Sequence, residues 1–123
     1  MIEYTYEDVL LSLKNIVHAM GEEYVDPSSR DRSCVYYEGN GEPSCLVGHF
    51  LYEQELVMAH DSDKYEDQSA ETVVRSLEAL DVASFDARSI ELLQRAQENQ
   101  DYGYSWGESL SSAIDAVTRK YGA

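Results

Sequence analysis

The clearest hydrophobic pattern begins after Thr5, where apolar residues recur every three or four positions. Thr5 followed by Asp8 is a capping-box pattern, in which each residue can satisfy an exposed backbone amide at the start of a helix. Gly21 is typical of a helix end because glycine adopts the left-handed conformation without strain. The pattern therefore predicts a first helix between Thr5 and Gly21. Its apolar face consists of Val9, Leu10, Leu13, Ile16, Val17 and Met20.

A second helical stripe follows Pro43, with Ser44 as its predicted N-cap. Its apolar residues are Leu46, Val47, Phe50 and Leu51. Gly48 within this stripe costs about 1 kcal/mol of helix stability relative to alanine, which suggests that another element packs closely against it.

Three further helices are predicted in the second half of the chain by the same spacing. Ser69 caps the third, either Ser84 or Asp86 caps the fourth, and Ser105 with Glu108 forms a capping box for the fifth. The third helix carries Val73, Val74, Leu77 and Leu80, the fourth Ile90, Leu93, Ala96 and Gln97, and the fifth Trp106, Leu110, Ile114, Val117 and Tyr121 up to Gly122.

The segment between the first two helices holds Gly39-Asn40-Gly41, which can supply the positive φ angles of a tight turn. With Cys34–Tyr37 before it, this turn predicts a short hairpin or an extended excursion. Asp61–Gln68 is mostly charged and has no apolar face, which predicts a solvated loop. We therefore expect a single domain over residues 1–123, mainly α, as a compact bundle of about five helices with one short β excursion; an α+β fold is the alternative.

Charge narrows the classes of partner. The chain has 24 acids and 9 bases, a net charge of −15 at pH 7, and the acids are spread over both halves of its 123 residues. Phosphate backbones and anionic lipids are repelled by such a surface, so we expect no direct nucleic-acid binding and no membrane binding. Without a long apolar run or a basic leader, the expected location is the cytoplasm. A folded acidic domain can also imitate DNA phosphates, or be acidic only for solubility.

Cys34 and Cys45 allow three explanations. They could form a disulfide across the turn, although a cytoplasmic location keeps thiols reduced. With His49 and His60 they could bind a metal, but the spacing lacks the close cysteine pair of structural zinc sites. Cys45 at a helix start, with His49 one turn later, could be a catalytic nucleophile, whereas a thiol among apolar neighbours is more often a buried hydrophobe.

Tyrosine is the other unusual feature of the composition, with ten residues. Amphipathic tyrosine is enriched where proteins dock on one another, and five tyrosines cluster near the turn-rich segments. Trp106, by contrast, is interpreted as closing the core with its polar tip in water. The candidate partner-binding residues are Tyr36, Tyr37, Tyr52, Tyr102 and Tyr104.

Two stretches carry a resemblance to a known group of proteins. Cys34–Tyr37 followed by Gly41–His49, and Leu93–Asp101 followed by Gly103 and Trp106–Leu110, are together similar to small, functionally uncharacterised proteins of actinobacteria and their bacteriophages. The resemblance implies a small protein of phage or prophage origin, made in the cytoplasm of a bacterial host, an actinobacterium, and assigns no catalytic residues. The acidic insertion after His60 departs from the pattern.

These observations favour a non-enzymatic interaction protein that binds and modulates a host protein. The alternatives are a DNA-mimicking inhibitor of a DNA-binding protein and a cysteine-dependent enzyme using Cys45 and His49. The sequence contains no phosphate-binding glycine loop, nucleophile elbow, His-Glu-x-x-His motif or EF-hand. We therefore expect no cofactor, no metal and no catalytic residues, and the sequence leaves the oligomeric state open.

Overall fold

A computed structural model describes residues 2–25, 43–56 and 68–122. Within these residues the chain is mainly α, with five helices and one small sheet, as the sequence predicts. The elements in chain order are β1 (Ile2–Tyr4), α1 (Tyr6–Met20), α2 (Leu46–Glu53), α3 (Ala70–Ala79), β2 (Ala83–Phe85), α4 (Ala87–Asp101) and α5 (Trp106–Tyr121). The hairpin predicted around Gly39–Gly41 and most of the loop predicted at Asp61–Gln68 lie outside the described residues.

The sheet is a parallel pair that the sequence analysis did not predict. Strand β1 pairs with β2 so that Ile2 faces Ala83 and Tyr4 faces Phe85. The rings of Tyr4 and Phe85 are stacked with centroids 5.0 Å apart, and Phe50 of α2 meets Tyr4 edge-on at 5.8 Å. The short strands therefore pack the beginning of the chain against α2 and the segment before α4.

The buried apolar residues form one cluster to which all five helices contribute. The predicted stripe of α4 is confirmed, because Ile90, Leu93, Ala96 and Gln97 are all buried. Three outer members of the predicted stripes, Met20, Leu80 and Tyr121, are exposed. Among the largest fully buried side chains are Trp106, Phe50, Leu13, Ile16, Leu46, Leu51, Leu77, Leu92 and Leu93.

Most of the predicted helix caps are confirmed. Thr5 and Asp8 form both arms of the capping box, and Ser69 and Ser105 accept hydrogen bonds from the amides three residues later. The capping box predicted for Ser105 and Glu108 has this arm only. Asp86 caps α4, whereas Ser84, the other candidate, lies in β2. These caps were predictable because donor and acceptor are only three residues apart.

The predicted cap of α2 was wrong by one residue. Cys45, not Ser44, is the N-cap, and its Sγ accepts from the Gly48 amide at 3.3 Å. The start of α2 is set by α4, because Gln100 Oε1 accepts from the Leu46 amide at 3.0 Å and Gln97 Oε1 accepts from the Val47 amide at 3.1 Å. All three first-turn amides of α2 are therefore satisfied.

Helix α4 supplies polar groups to other helix starts as well. Gln94 Oε1 accepts from the Glu71 amide of α3 at 2.7 Å, and Asp86 at the α4 N-cap accepts from the Tyr6 amide of α1 at 3.0 Å. Asp101 Oδ1 accepts from the side-chain amide of Gln97 at 2.8 Å and orients it. One helix thus contributes capping side chains to α1, α2 and α3.

None of the helices in the described ranges is long and apolar enough to cross a membrane.

Candidate functional site: an acidic cleft and its apolar extension

The candidate tyrosines are distributed over two places. Tyr102 and Tyr104 lie in the turn between α4 and α5, and Tyr52 lies on α2; all three are exposed. The structure therefore brings Tyr102 and Tyr104 into one turn and keeps Tyr52 on a separate helix. Tyr36 and Tyr37 lie outside the described residues.

Of these tyrosines, Tyr104 lines a concave surface that we call the acidic cleft. Its carboxylates come from two separate parts of the chain, Glu22 and Glu23 after α1, and Glu108 and Asp115 on α5. Ser105, Gly107, Ser111 and Ser112 complete the lining of this open cleft of about 720 Å³. The sequence analysis predicted the tyrosine but not the four carboxylates around it.

Backbone contacts hold the two sides of the acidic cleft together. The Trp106 amide donates to the Tyr24 carbonyl oxygen, and the Gly107 amide donates to the Glu22 carbonyl oxygen, both at 2.8 Å. The Ser105 hydroxyl accepts from the Glu108 amide at 3.2 Å, whereas the Glu108 carboxylate lines the cleft. The first-turn amides of α5 are therefore all used within the chain, and the helix start is not an anion site.

The close approach depends on Gly107. A Cβ atom added at this position would lie 2.8 Å from both the carbonyl oxygen and the Cβ of Glu22. Beneath this contact, the Tyr24 ring meets Trp106 edge-on with centroids 4.8 Å apart. Trp106 is a core residue as expected, but its polar tip is not in water, because Nε1 is buried without a partner among the described residues.

The acidic cleft continues into a second depression, the α1–α5 groove. From α1 it is lined by Leu11, Lys14, Asn15, Val17 and His18, and from α5 by Leu110, Ser111, Ile114 and Asp115. Glu22, Gly107, Ser111 and Asp115 line both depressions. The two therefore form one surface, with Glu22, Glu23 and Glu108 near the start of α5 and with apolar residues, Lys14 and Asp115 further along.

Leu11 is the most informative residue of the groove. Its side chain is 61% exposed, although its neighbours Val9 and Leu13 are fully buried in the core. The sequence contained a signal for this, since Leu11 lies outside the predicted apolar face of α1 while being as hydrophobic as its members.

The cleft carboxylates are not neutralised by partners in the part of the chain that is described. The ion pairs there join Arg75 to Glu71, Arg88 to Glu7, and both Arg95 and Lys120 to Glu91. None involves Glu22, Glu23, Glu108 or Asp115. Lys14 and His18 stand on the α1 side of the groove, away from the Tyr104 end. The surface therefore presents three carboxylates near the start of α5, and an apolar area with Lys14 and Asp115 at its other end.

The Cys45–His49 pair has a different geometry from a catalytic dyad. The Cys45 side chain is 0% exposed and its Sγ is engaged by the Gly48 amide. The hydrogen-bond partner of His49 Nδ1 is the Cys45 carbonyl oxygen, at 3.0 Å, and not the Cys45 sulfur. The His49 ring packs edge-on against the Trp106 ring, with centroids 5.2 Å apart. A nucleophile needs an accessible thiolate with a base in reach, and this arrangement favours a structural thiol.

The metal and disulfide hypotheses both include residues outside the described ranges, namely Cys34 and His60. Among residues 2–25, 43–56 and 68–122, no group of three or more His, Cys, Asp or Glu side chains is placed to hold a metal ion.

Comparison with protein-family models, curated proteins and solved structures gives no match for this chain.

Proposed function

We propose that this chain is a small acidic interaction protein without enzymatic activity. It is of phage or prophage origin and acts in the cytoplasm of an actinobacterial host, where it binds and modulates a host protein. The observation that carries the proposal is the acidic cleft, in which four carboxylates and Tyr104 converge from two parts of the chain. A concave surface with unpaired charge and an exposed aromatic ring has the composition of a recognition site.

The surroundings of Cys45 support the non-enzymatic part of the proposal. Its thiol is enclosed and caps a helix, and the neighbouring imidazole is directed to a carbonyl oxygen. The competing hypothesis of a cysteine-dependent enzyme requires rapid alkylation of Cys45 at neutral pH. We expect slow labelling in the folded protein and rapid labelling in denaturant, measured by mass spectrometry of the Cys45 peptide; rapid labelling of the folded protein would favour the enzyme.

The main test is affinity capture from an actinobacterial lysate with two matched variants. The cleft variant carries Glu22→Gln, Glu23→Gln, Glu108→Gln and Asp115→Asn. The control variant carries the same number of neutralised acids at exposed positions outside the cleft: Glu3→Gln, Glu53→Gln, Glu55→Gln and Asp81→Asn. Both lose four negative charges, so any difference between them reports position and not total charge.

We expect the native chain and the control variant to retain the same host protein at near-physiological salt, and the cleft variant to lose it. Equal capture by all three proteins, or capture of nothing, would contradict the proposal.

The net charge of −15 supports DNA mimicry as a second candidate function. A DNA mimic attracts its partner through the charge of its whole surface, so both variants would weaken capture. Its partners would be DNA-binding proteins, and their binding would weaken steeply as the salt concentration rises. Salt-insensitive capture would exclude that function.

A further inference from the structure

We infer that the acidic cleft and the α1–α5 groove together bind a basic amphipathic helix of a partner protein. The inference rests on the proposed function, since it names the kind of segment that an interaction protein with this surface would recognise. It is carried by the shape of the groove, by its exposed apolar residues and by the three carboxylates that lie at one end of it.

The groove has the dimensions of a helix-binding site. Its α1 side extends from Leu11 to Glu22, about 16 Å at 1.5 Å per residue, which corresponds to roughly three turns of a bound helix. Its α5 side extends from Gly107 to Asp115. Glu22 contacts Gly107 at one end, while Leu11 and Ile114 lie further along their helices, so the two sides form walls between which a helix can lie.

The floor and rim of the groove provide the apolar contacts. Val17 and Leu110 are nearly buried and form the floor, and Ile114 is partly buried beside them. Leu11 stands on the rim with most of its side chain in water. A helix laid in such a groove buries leucine-like residues spaced three and four apart, which is the usual mode of helix recognition.

Charge defines the rest of the partner. Glu22, Glu23 and Glu108 lie near the start of α5, whereas Asp115 lies in its second half beside Ile114. The bound helix should therefore carry most of its arginine or lysine over the three carboxylates at the start of α5. Arginine suits this end best because its planar guanidinium pairs with carboxylates in a bidentate manner. Lys14 is the cationic side chain of the α1 wall and Asp115 the carboxylate opposite, so the three carboxylates at the start of α5 are what favours one direction of the bound helix.

The same charges argue against other occupants. A second copy of this chain also carries −15, so its close approach to the acidic cleft is unfavourable. Duplex DNA and anionic vesicles are repelled for the same reason.

The test uses a synthetic peptide of about 18 residues, long enough to exceed three helical turns. It has leucine at helical spacing and arginine clustered toward one end. A scrambled peptide of identical composition, without a continuous apolar face, is the first control. Binding is measured by fluorescence anisotropy of the labelled peptide at physiological ionic strength.

The protein variants are Leu11→Ser in the groove and Leu80→Ser at the end of α3. These leucines are a matched pair, 61% and 66% exposed, so neither substitution removes core packing. We expect Leu11→Ser to weaken peptide binding about tenfold, because an exposed leucine that becomes buried in an interface contributes a large share of affinity. Leu80→Ser should leave binding unchanged, and thermal melting of both variants should resemble that of the native chain.

Equal binding of the ordered and scrambled peptides would overturn the inference, since attraction by charge alone would then suffice. Equal weakening by Leu11→Ser and Leu80→Ser would overturn it as well, as would a dimer in sedimentation that Leu11→Ser converts to monomer. Absence of peptide binding overturns this inference only, because lysate capture that depends on the cleft carboxylates would still support the proposed function.

Discussion

Among single residues, Gly107 has the most demanding position. It lies within α5, where glycine is unfavourable by about 0.5–1 kcal/mol relative to alanine, yet its lack of a side chain permits the 2.8 Å hydrogen bond to Glu22. Glycine at this position therefore lowers the stability of the helix but leaves room for α5 to approach the segment that follows α1. That approach brings Glu22 next to Glu108 in the acidic cleft.

We predict that Gly107→Ala destabilises the protein, against the direction that helix propensity alone would give. The added methyl group would clash with backbone and Cβ atoms of Glu22, and overpacking of this kind costs about 1–3 kcal/mol. Urea denaturation measures the change in the free energy of unfolding.

Ser112→Ala is the matched control for Gly107→Ala, since Ser112 is exposed on the same helix and gains only helix propensity. A Gly107→Ala variant that is as stable as the control would show that Glu22 can move away from the added methyl group at little cost in free energy.

At the scale of helices and strands, α4 is important because it forms hydrogen bonds to the starts of three other helices. The side chains of α4 and of its N-cap residue Asp86 cap the starts of α1, α2 and α3. They can do so because the sequence of α4 is rich in polar residues. Gln97 and Gln100 are almost completely buried, and a buried amide without a partner costs about 1–3 kcal/mol. The polar side chains of α4 therefore determine where α2 begins.

We predict that Gln97→Met and Gln100→Met each lower the free energy of unfolding by about 1–3 kcal/mol, because an amide of α2 is left buried and unsatisfied. The double variant should lose less than the sum, since both glutamines interact with each other and with Asp101. Chemical denaturation of the native chain, the two single variants and the double variant completes the double-mutant cycle.

Gln94→Met provides the comparison for that cycle. Gln94 is only partly buried, so water can replace it at the Glu71 amide and the loss should be smaller. Equal losses at all three glutamines would contradict the importance of burial.

Helices α4 and α5 are also joined by Glu91. Its carboxylate accepts from Lys120 Nζ and from Arg95 Nε, both at 2.7 Å. The hydrogen bond from Lys120, with that from Arg95, holds the pKa of Glu91 below its ordinary value of 4.5 even though burial opposes this. A carboxyl group with a lowered pKa in the folded state stabilises the protein above its unfolded pKa.

We therefore predict that Glu91 contributes to acid sensitivity. Its stabilisation should be fully present above the ordinary pKa of 4.5 and should be lost as the pH falls through the lower pKa of the folded state. Glu91→Gln should lower stability at neutral pH and flatten the decline in acid, as measured by denaturation at a series of pH values.

Glu53→Gln, which removes an exposed acid outside these ion pairs, is the control for Glu91→Gln. Parallel pH profiles for native and Glu91→Gln proteins would contradict the role of the Lys120 contact.

For the whole molecule, the dominant physical quantity is the excess of acids. A net charge of −15 on 123 residues destabilises the compact state through self-repulsion. The ion pairs of the described residues neutralise carboxylates on α1, α3 and α4 but leave those of the acidic cleft unpaired.

We predict that sodium chloride raises the melting temperature by several degrees between low salt and about 0.5 M, since screening shortens the range of repulsion to a few ångströms. The cleft and control variants should both melt higher than the native chain at low salt, with a smaller salt effect. Thermal melting followed by circular dichroism measures this. A melting temperature that falls with added salt would show that attractive pairs dominate.

The sequence predicts the helices of this molecule far better than it predicts their assembly. Apolar periodicity and caps such as Thr5 and Ser105 are local signals, so five helices and most of their starts could be read directly. The start of α2 could not, because it depends on Gln97 and Gln100, which are about 50 residues away in the chain. The parallel strands were missed because three residues are too few to show a period.

The candidate site shows the same division. Tyr104 was predicted as a surface residue from its type and from the turn around it. Its neighbours Glu22 and Asp115 are far apart in sequence, and the contacts of Trp106 and Gly107 with residues 22 and 24 bring their parts of the chain together. Phage origin, the host partner and the absence of catalysis stay predictions.

The parallel pairing of Ile2–Tyr4 with Ala83–Phe85 also has a consequence for the order of events on the ribosome. The first strand emerges early but has no partner until some 80 further residues have been made, which takes about 4–16 s at 5–20 residues per second. The Tyr6 amide likewise lacks its hydrogen-bond acceptor until Asp86 has been synthesised. Helix α1 can contact α2 before then, but β1 and the first turn of α1 complete their hydrogen bonds only after β2 and Asp86 have been made.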